Sequence, residues 1–280
     1  MALLHVNFPS ETLGLSRSID VILPDEARDV GPGGKTPGKR FPVLWLLHGA
    51  SDDHTIWQRR TSIERYVSDL GLAVVMPSVE LSYYANMAHG FDYFDYVTVE
   101  LPKLCSGYFP LSTRREDNFV AGLSMGGYGA LKAGLTHPGR YAAIGCLSAG
   151  NFPAGPVPLA ASTMKTGTPA GSIPFNSFGI EGETDLRNCA ALMGGENDCF
   201  HLLDRCLASG GPVPRVFHAC GANDFLIENV HLTRDYFQAR ADRFRYEYHE
   251  APGVHSWEFW DHWIQEFLAF LSPDLAATGK

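Results

Sequence analysis

The 280-residue chain has no apolar run near the ~20 residues that cross a bilayer. Its start, Met1 to Phe8, alternates like a strand and carries neither the basic region nor the apolar core of a signal peptide. Both absences point to a cytoplasmic protein with no membrane partner. Positive charge is also in short supply, with 22 Lys and Arg against 31 Asp and Glu and a formal charge of −9. Such a surface repels a phosphate backbone, so nucleic acid is not an expected partner. The six cysteines (Cys105, Cys146, Cys189, Cys199, Cys206, Cys220) form no C-x-x-C pair or compact His/Cys cluster, and no Asn-x-Ser/Thr acceptor occurs. Free, mostly buried thiols are expected, and nothing asks for an oxidising compartment.

Ligand-binding signatures are missing as well. No H-E-x-x-H or comparable metal spacing appears. Gly31-Pro-Gly-Gly-Lys35-Thr36 ends like a phosphate-binding loop, but Asp29 stands where its first Gly is required, and no strand and helix flank it. No cofactor and no metal are expected.

What is present is a regular alternation of apolar runs and helical periods. Leu4 to Phe8 and Arg17 to Leu23 are strand-like and read as an antiparallel lead-in. Phe41 to Leu47 is continuously apolar, as a strand covered on both faces must be. Ile63, Tyr66, Val67 and Leu70 share a helix face closed by Gly71, and Leu72 to Met76 is the next strand. Phe94 to Tyr108 looks helical, although Pro102 lies inside it and must kink it or mark a first turn. Further strands are expected at Asn118 to Gly122, Tyr141 to Leu147, Val213 to Cys220 and Phe244 to His249. A closing helix is marked by Trp257, Trp260, Trp263, Ile264, Phe267, Leu268 and Leu271. Between about Gly150 and Glu183 the chain is rich in Pro, Gly, Ser, Thr and Ala without periodicity, which suggests a lid or pocket wall. With no repeat or linker, the expectation is one α/β domain over 1–280: eight strands, mostly parallel, with helices on both faces.

Gly122-Leu-Ser124-Met-Gly126 is a G-x-S-x-G pentapeptide between an apolar strand and a helix, the setting of a nucleophile elbow. A serine hydroxyl needs a base that is itself oriented by an acid, and in this architecture the order is Ser, Asp or Glu, His. Asp224 follows a strand in Gly221-Ala-Asn-Asp224, and His255 follows the next in Ala251-Pro-Gly-Val-His255. They are the candidate acid and base. His218, His249, His137 and His262 fall within elements or at helix ends, where a structural role is expected, and His231 and His89 do not follow a strand in the required order. Asp198 and Asp204 lie in a helical stretch and read as solvated helix residues. The oxyanion donors are expected to be the backbone N–H groups of Met125, directly after the nucleophile, and of Ala50, in the loop after Leu47. His48 is read as a structural neighbour of the site.

The chain resembles the esterase D-like branch of the α/β-hydrolases, and within it the tributyrin esterase group. The resemblance is carried by Leu46-Leu-His-Gly-Ala-Ser-Asp-Asp-His-Thr-Ile-Trp57, Val75-Met-Pro-Ser78, Gly90-Phe-Asp-Tyr-Phe94, Glu100-Leu-Pro102 and Ala121-Gly-Leu-Ser-Met-Gly-Gly-Tyr-Gly-Ala-Leu131, with the Asp224 and His255 loops. It implies an α/β-hydrolase fold and a cytoplasmic carboxylesterase for short acyl esters, including O-acetylated carbohydrates. Ser124, Asp224 and His255 would be its triad, Ala50 and Met125 its oxyanion donors, and homo-oligomers a common state. The same branch holds S-formylglutathione hydrolases, feruloyl esterases and acyltransferases. The S-formylglutathione hydrolases differ in the loop after His48-Gly49 and usually carry His where this chain has Tyr128. A ligand-binding protein without turnover would need a degraded triad.

Overall fold

The computed structural model describes residues 1–31, 33–155 and 192–278. Its sheet is built from β1 (Ala2–Ser10), β2 (Leu15–Leu23), β3 (Val43–Leu47), β4 (Ala73–Pro77), β5 (Asn118–Leu123), β6 (Ala143–Leu147), β7 (Arg215–Gly221) and β8 (Tyr246–Ala251). The eight strands lie in the order β1-β2-β4-β3-β5-β6-β7-β8. β2 is antiparallel to both neighbours, and every pairing from β4 to β8 is parallel. This is the α/β-hydrolase arrangement. Every residue of β3, β4, β5 and β6 is buried, which is why these strands read as unbroken apolar runs rather than as alternations.

Alternate residues of those strands face two separate cores. Val43, Trp45, Leu47, Val75 and Val120 pack on one face, beneath α3 (Tyr93–Asp95), α4 (Leu101–Tyr108), α5 (Met125–Thr136), α6 (Cys199–Ala208) and α7 (Ile227–Gln238). Leu44, Leu46, Val74, Met76, Phe119 and Ala121 pack on the other, against α1 (Ile56–Arg60), α2 (Ile63–Val67) and α8 (Trp257–Thr278). Each fully buried Leu, Ile or Val side chain contributes about 1.5–3 kcal/mol from apolar transfer. A one-residue slip of a central strand would interchange the two faces.

Several boundaries differ from the sequence expectation, and proline accounts for two. Phe41 forms only an isolated bridge with Leu111, because Pro42 has no N–H for the ladder and regular pairing starts at Val43. Pro214 similarly delays β7 to Arg215. The closing helix runs beyond Leu271 to Thr278. Between α3 and α4 lies one π-helical turn, Tyr96–Glu100, in which the Leu101 N–H reaches back to the Tyr96 carbonyl. Pro102 cannot bond to the Thr98 carbonyl four residues back, and that carbonyl accepts the Arg140 guanidinium instead. Of the expected lid, Phe152–Ala154 forms a short 3-10 turn, and residues 156–183 lie outside the described residues.

Candidate active site

The C-terminal ends of the parallel strands carry the site, as crevices of open α/β sheets do. At the end of β5 the chain turns sharply into α5 with Ser124 at φ +52° and ψ −122°, a region that side-chain-bearing residues rarely occupy. The Ser124 N–H is held by the Leu147 carbonyl at 2.8 Å, and its own carbonyl accepts the Tyr128 N–H at 3.1 Å. The flanking glycines are required by contact. A Cβ at Gly122 would meet the Gly126 carbonyl oxygen at 2.4 Å, and one at Gly126 would meet the His48 and Leu47 carbonyl oxygens at 2.5 Å. The strained serine is therefore clamped between β3, β6 and the first turn of α5.

The acid and base loops are tied together. Asn223 donates its N–H to the Gly253 carbonyl at 2.9 Å, and Ala222 donates to Ala251 at 2.8 Å. A Cβ on Gly221 would lie 2.6 Å from the Gly253 carbonyl, so the absence of a side chain lets the loops close. Asp224 is 2% exposed and accepts the Leu226 N–H on Oδ1 at 2.9 Å. Nδ1 of His255 lies 3.0 Å from Oδ1 and 2.9 Å from Oδ2 of Asp224. Nε2 of His255 lies 2.9 Å from Ser124 Oγ. The Asp224 carboxylate requires the proton on Nδ1 of a neutral imidazole, which leaves the Nε2 lone pair directed at the serine hydroxyl.

The structure thus brings Ser124, His255 and Asp224 into one hydrogen-bonded chain. Met125 is the first residue of α5, so its N–H has no acceptor within the helix. Ala50 lies in the loop after β3, which passes over the α5 N-terminus where Gly126 abuts the His48 carbonyl. His48 is buried and does not join the triad. Its Nδ1–H donates to the Gly49 carbonyl at 2.7 Å, and its Nε2 accepts the Val79 N–H at 3.0 Å. Burial lowers the His48 pKa to about 4, so it stays neutral.

Three aromatic residues at the site carry no functional mark in the sequence. Phe225 and Trp260 enclose the His255 ring, with centroids at 4.4 and 4.8 Å. Phe225 adjoins the acid, but its contact with the base depends on loop closure and has no sequence signature; Trp260 is hidden in an ordinary helical stripe. Tyr84 donates its hydroxyl to the His48 carbonyl at 2.9 Å and lies against Gly129. Asp198 corrects an expectation. It is not a solvated helix residue but the buried N-cap of α6, accepting from Phe200 N–H at 2.9 Å and Asn151 Nδ2 at 2.7 Å. Asp204 remains at the surface, bonded to Tyr236 and Arg240.

The chain matches the family described as "Putative esterase" over residues 10–271, and it belongs to that family. It is 28% identical to an acetyl esterase of Caldicellulosiruptor saccharolyticus over 97% of this chain and 98% of the relative. Among solved structures it is similar to FphF, a fluorophosphonate-binding serine hydrolase of Staphylococcus aureus. That match has 35% identity and a TM-score of 0.79, covering 97% of this chain and 98% of that one. The S-formylglutathione hydrolase FrmB of Staphylococcus aureus is similar at 34% identity with the same coverage and TM-score. The chain is a carboxylic ester hydrolase of the serine type.

Proposed function

We propose that this member of the esterase family hydrolyses short-chain acyl esters, acetyl and butyryl above all, through an acyl-enzyme on Ser124. The observation that carries this reading is the continuous hydrogen-bonded chain from Ser124 Oγ through both nitrogens of His255 to the buried Asp224. As Oγ attacks the ester carbonyl, Nε2 of His255 takes its proton, and Asp224 stabilises the imidazolium and holds its orientation. The Ala50 and Met125 N–H groups receive the oxyanion. The proton on Nε2 then passes to the departing alcohol. Water attacks the acyl-enzyme by the same route, restoring Ser124 and releasing the acid.

O-acetylated carbohydrates are the alcohol class we favour. A cleft of about 470 Å³ adjoins the loop that carries Ala50 and is lined by Asp52, Glu80, His89, Phe91 and Tyr93, among others. Carboxylates that accept hydroxyl protons beside aromatic faces suit a polyhydroxylated group. The relative named as an acetyl esterase supports the acyl side of the reading. A thioester role is the second reading, favoured by the similarity to FrmB. Against it stands Tyr128, whose hydroxyl is committed to the Asn197 carbonyl at 2.8 Å.

We also propose cytoplasmic residence and self-association. The five described cysteines are free and buried, and among the described residues no helix is long and apolar enough to cross a membrane. Light scattering on the purified chain reads the oligomeric state. The central test is hydrolysis of p-nitrophenyl acetate, butyrate, octanoate and dodecanoate by wild type and Ser124→Ala near neutral pH, with S-formylglutathione beside them. A preference for the two short esters, lost by about 10³-fold or more in Ser124→Ala, supports the assignment. Equal slow rates for both proteins would overturn it, and a thioester rate exceeding every oxygen ester would favour the second reading.

A further inference from the structure

Away from the triad, three segments distant in sequence converge at one edge of the sheet. His5 on β1 stands directly opposite Asp20 on β2 in the antiparallel register, with Nδ1 2.6 Å from Oδ1. His54 comes from the loop after β3, and its ring centroid lies 5.0 Å from that of His5. One ligating atom from each of the three lies within 4.8 Å of the other two. Ligand atoms around a tetrahedral ion at about 2.0–2.1 Å are separated by about 3.3 Å, so closing on an ion takes a shift of about 1 Å. His5, whose side chain is 53% exposed, is free to make it.

The residues around the cluster prepare it for a cation. Asp20 is 5% exposed, and its second oxygen is held by Gln58 Nε2 at 2.7 Å, which fixes the carboxylate plane. Ser78 Oγ lies 2.9 Å from both Nδ1 and the backbone N of His54. Ser78 Oγ accepts the backbone N–H and can also accept a proton carried on Nδ1, the tautomer in which the Nε2 lone pair is open to a cation. That Nε2 is buried with no hydrogen-bond partner. A buried polar atom without a partner is destabilising unless something satisfies it. Arg17, which acts electrostatically on His54, is paired with Glu80 and so opposes a cation only weakly.

We propose that His5, Asp20 and His54 form a binding site for a divalent cation of the Zn2+ class. Two imidazoles and one carboxylate are the donor set that such borderline ions favour, with water completing the shell. Gln58 and Ser78 act as the outer partners that hold Asp20 and His54 in orientation. On binding through Nδ1, the neutral His5 ring carries its proton on the solvent-facing Nε2 instead, and the cation takes the place of the Nδ1 proton beside Asp20. The ion links β1 and β2 to the loop that also carries Ala50. Its role is therefore to stiffen the approach to the oxyanion site, not to activate water.

Equilibrium dialysis and thermal denaturation with Zn2+, together with the visible spectrum of the Co2+-loaded protein, test this. Wild type is expected to take up about one Zn2+ per chain, to gain thermal stability from it, and to give the intense visible bands of four-coordinate Co2+. His5→Ala, at a partly exposed strand position, and His54→Gln should each abolish these signals, and Gln58→Ala should weaken binding about 10–100-fold. His255→Ala should retain them, which separates this site from cation capture by the triad. Absence of Zn2+ uptake in wild type would overturn the proposal, as would undiminished uptake in His5→Ala and His54→Gln or its loss in His255→Ala.

Discussion

The Val79 N–H donates to Nε2 of His48 at 3.0 Å, tying the loop after β4 to the loop after β3. The other ring nitrogen donates to the Gly49 carbonyl at 2.7 Å, so both valences of the neutral imidazole are satisfied with a single tautomer. His218 is held similarly: Nε2 donates to the Ala149 carbonyl at 2.7 Å and Nδ1 accepts from the Tyr246 hydroxyl at 2.8 Å. One histidine braces the oxyanion loop, and the other braces the turn after β6. Protonating His48 would set an imidazolium N–H against the Val79 N–H with nothing to accept it.

That locking gives a pH dependence of stability. Burial lowers the pKa of both His48 and His218 from 6.5 to about 4. On acidification the unfolded chain takes up these protons first. The stabilisation from each neutral ring is complete above about pH 6.5 and is lost as the pH falls toward 4, on the order of 3 kcal/mol per ring. Urea unfolding of wild type and His218→Gln across this range should show the variant losing less stability on acidification by about that amount. Parallel curves for the two proteins would show that His218 takes no part.

Gly126→Ala should separate elbow geometry from general tolerance of alanine. The new Cβ would press on the carbonyls of Leu47, at the end of β3, and His48, in the loop after it, at 2.5 Å, and push the oxyanion loop away from the nucleophile. A displacement of about 1 Å costs about 10²-fold in rate, so kcat/KM for p-nitrophenyl butyrate should fall by that order. Gly139→Ala is the control, because nothing lies within 4 Å of its new Cβ. Wild-type kcat/KM in Gly126→Ala would show that the elbow accommodates a side chain.

Much of this architecture is legible in the sequence because the central strands are buried on both faces and the glycine pairs around Ser124 answer a backbone need. The alternation of β3 between two cores, the Gly71 turn at φ +60° and the helical stripe from Trp257 are all local consequences of residue type. What is not legible depends on pairing across long sequence separations. Strand order places β4 between β2 and β3, which no local pattern states. His5, Asp20 and His54 become neighbours only through the β1–β2 register and the loop after β3. Pro42 and Pro214 shift strand starts that hydrophobicity alone puts earlier.

Asp198 shows the same limit in a single residue. Its position before an apolar helical stripe hides a cap whose partners, Asn151 and Gly194, lie outside that helix. Asp198→Ala removes the cap and leaves the buried Asn151 amide without its acceptor. A loss of about 3 kcal/mol in unfolding free energy follows from the two costs together. Chemical denaturation measures it, and kcat at a temperature where the variant is folded should stay near wild type. An unchanged denaturation midpoint would remove Asp198 from the structural account.

Asp224→Asn tests the role of the acid without emptying its space. Both carboxylate oxygens are committed: Oδ1 accepts from Leu226 N–H and His255, and Oδ2 accepts from His255. An asparagine would turn its carbonyl to the Leu226 N–H and its NH2 toward Nδ1 of His255. The imidazole would then have to accept at Nδ1 and carry its proton on Nε2, facing Ser124 Oγ at 2.9 Å with no lone pair to receive a proton. Turnover of p-nitrophenyl butyrate should fall about 10⁴-fold with little change in KM or unfolding temperature. Because the three residues act as one unit, adding Ser124→Ala should cost almost nothing beyond the loss from Ser124→Ala alone. Multiplicative losses in the double variant would mean that Asp224 acts on the reaction by a path that does not pass through the serine.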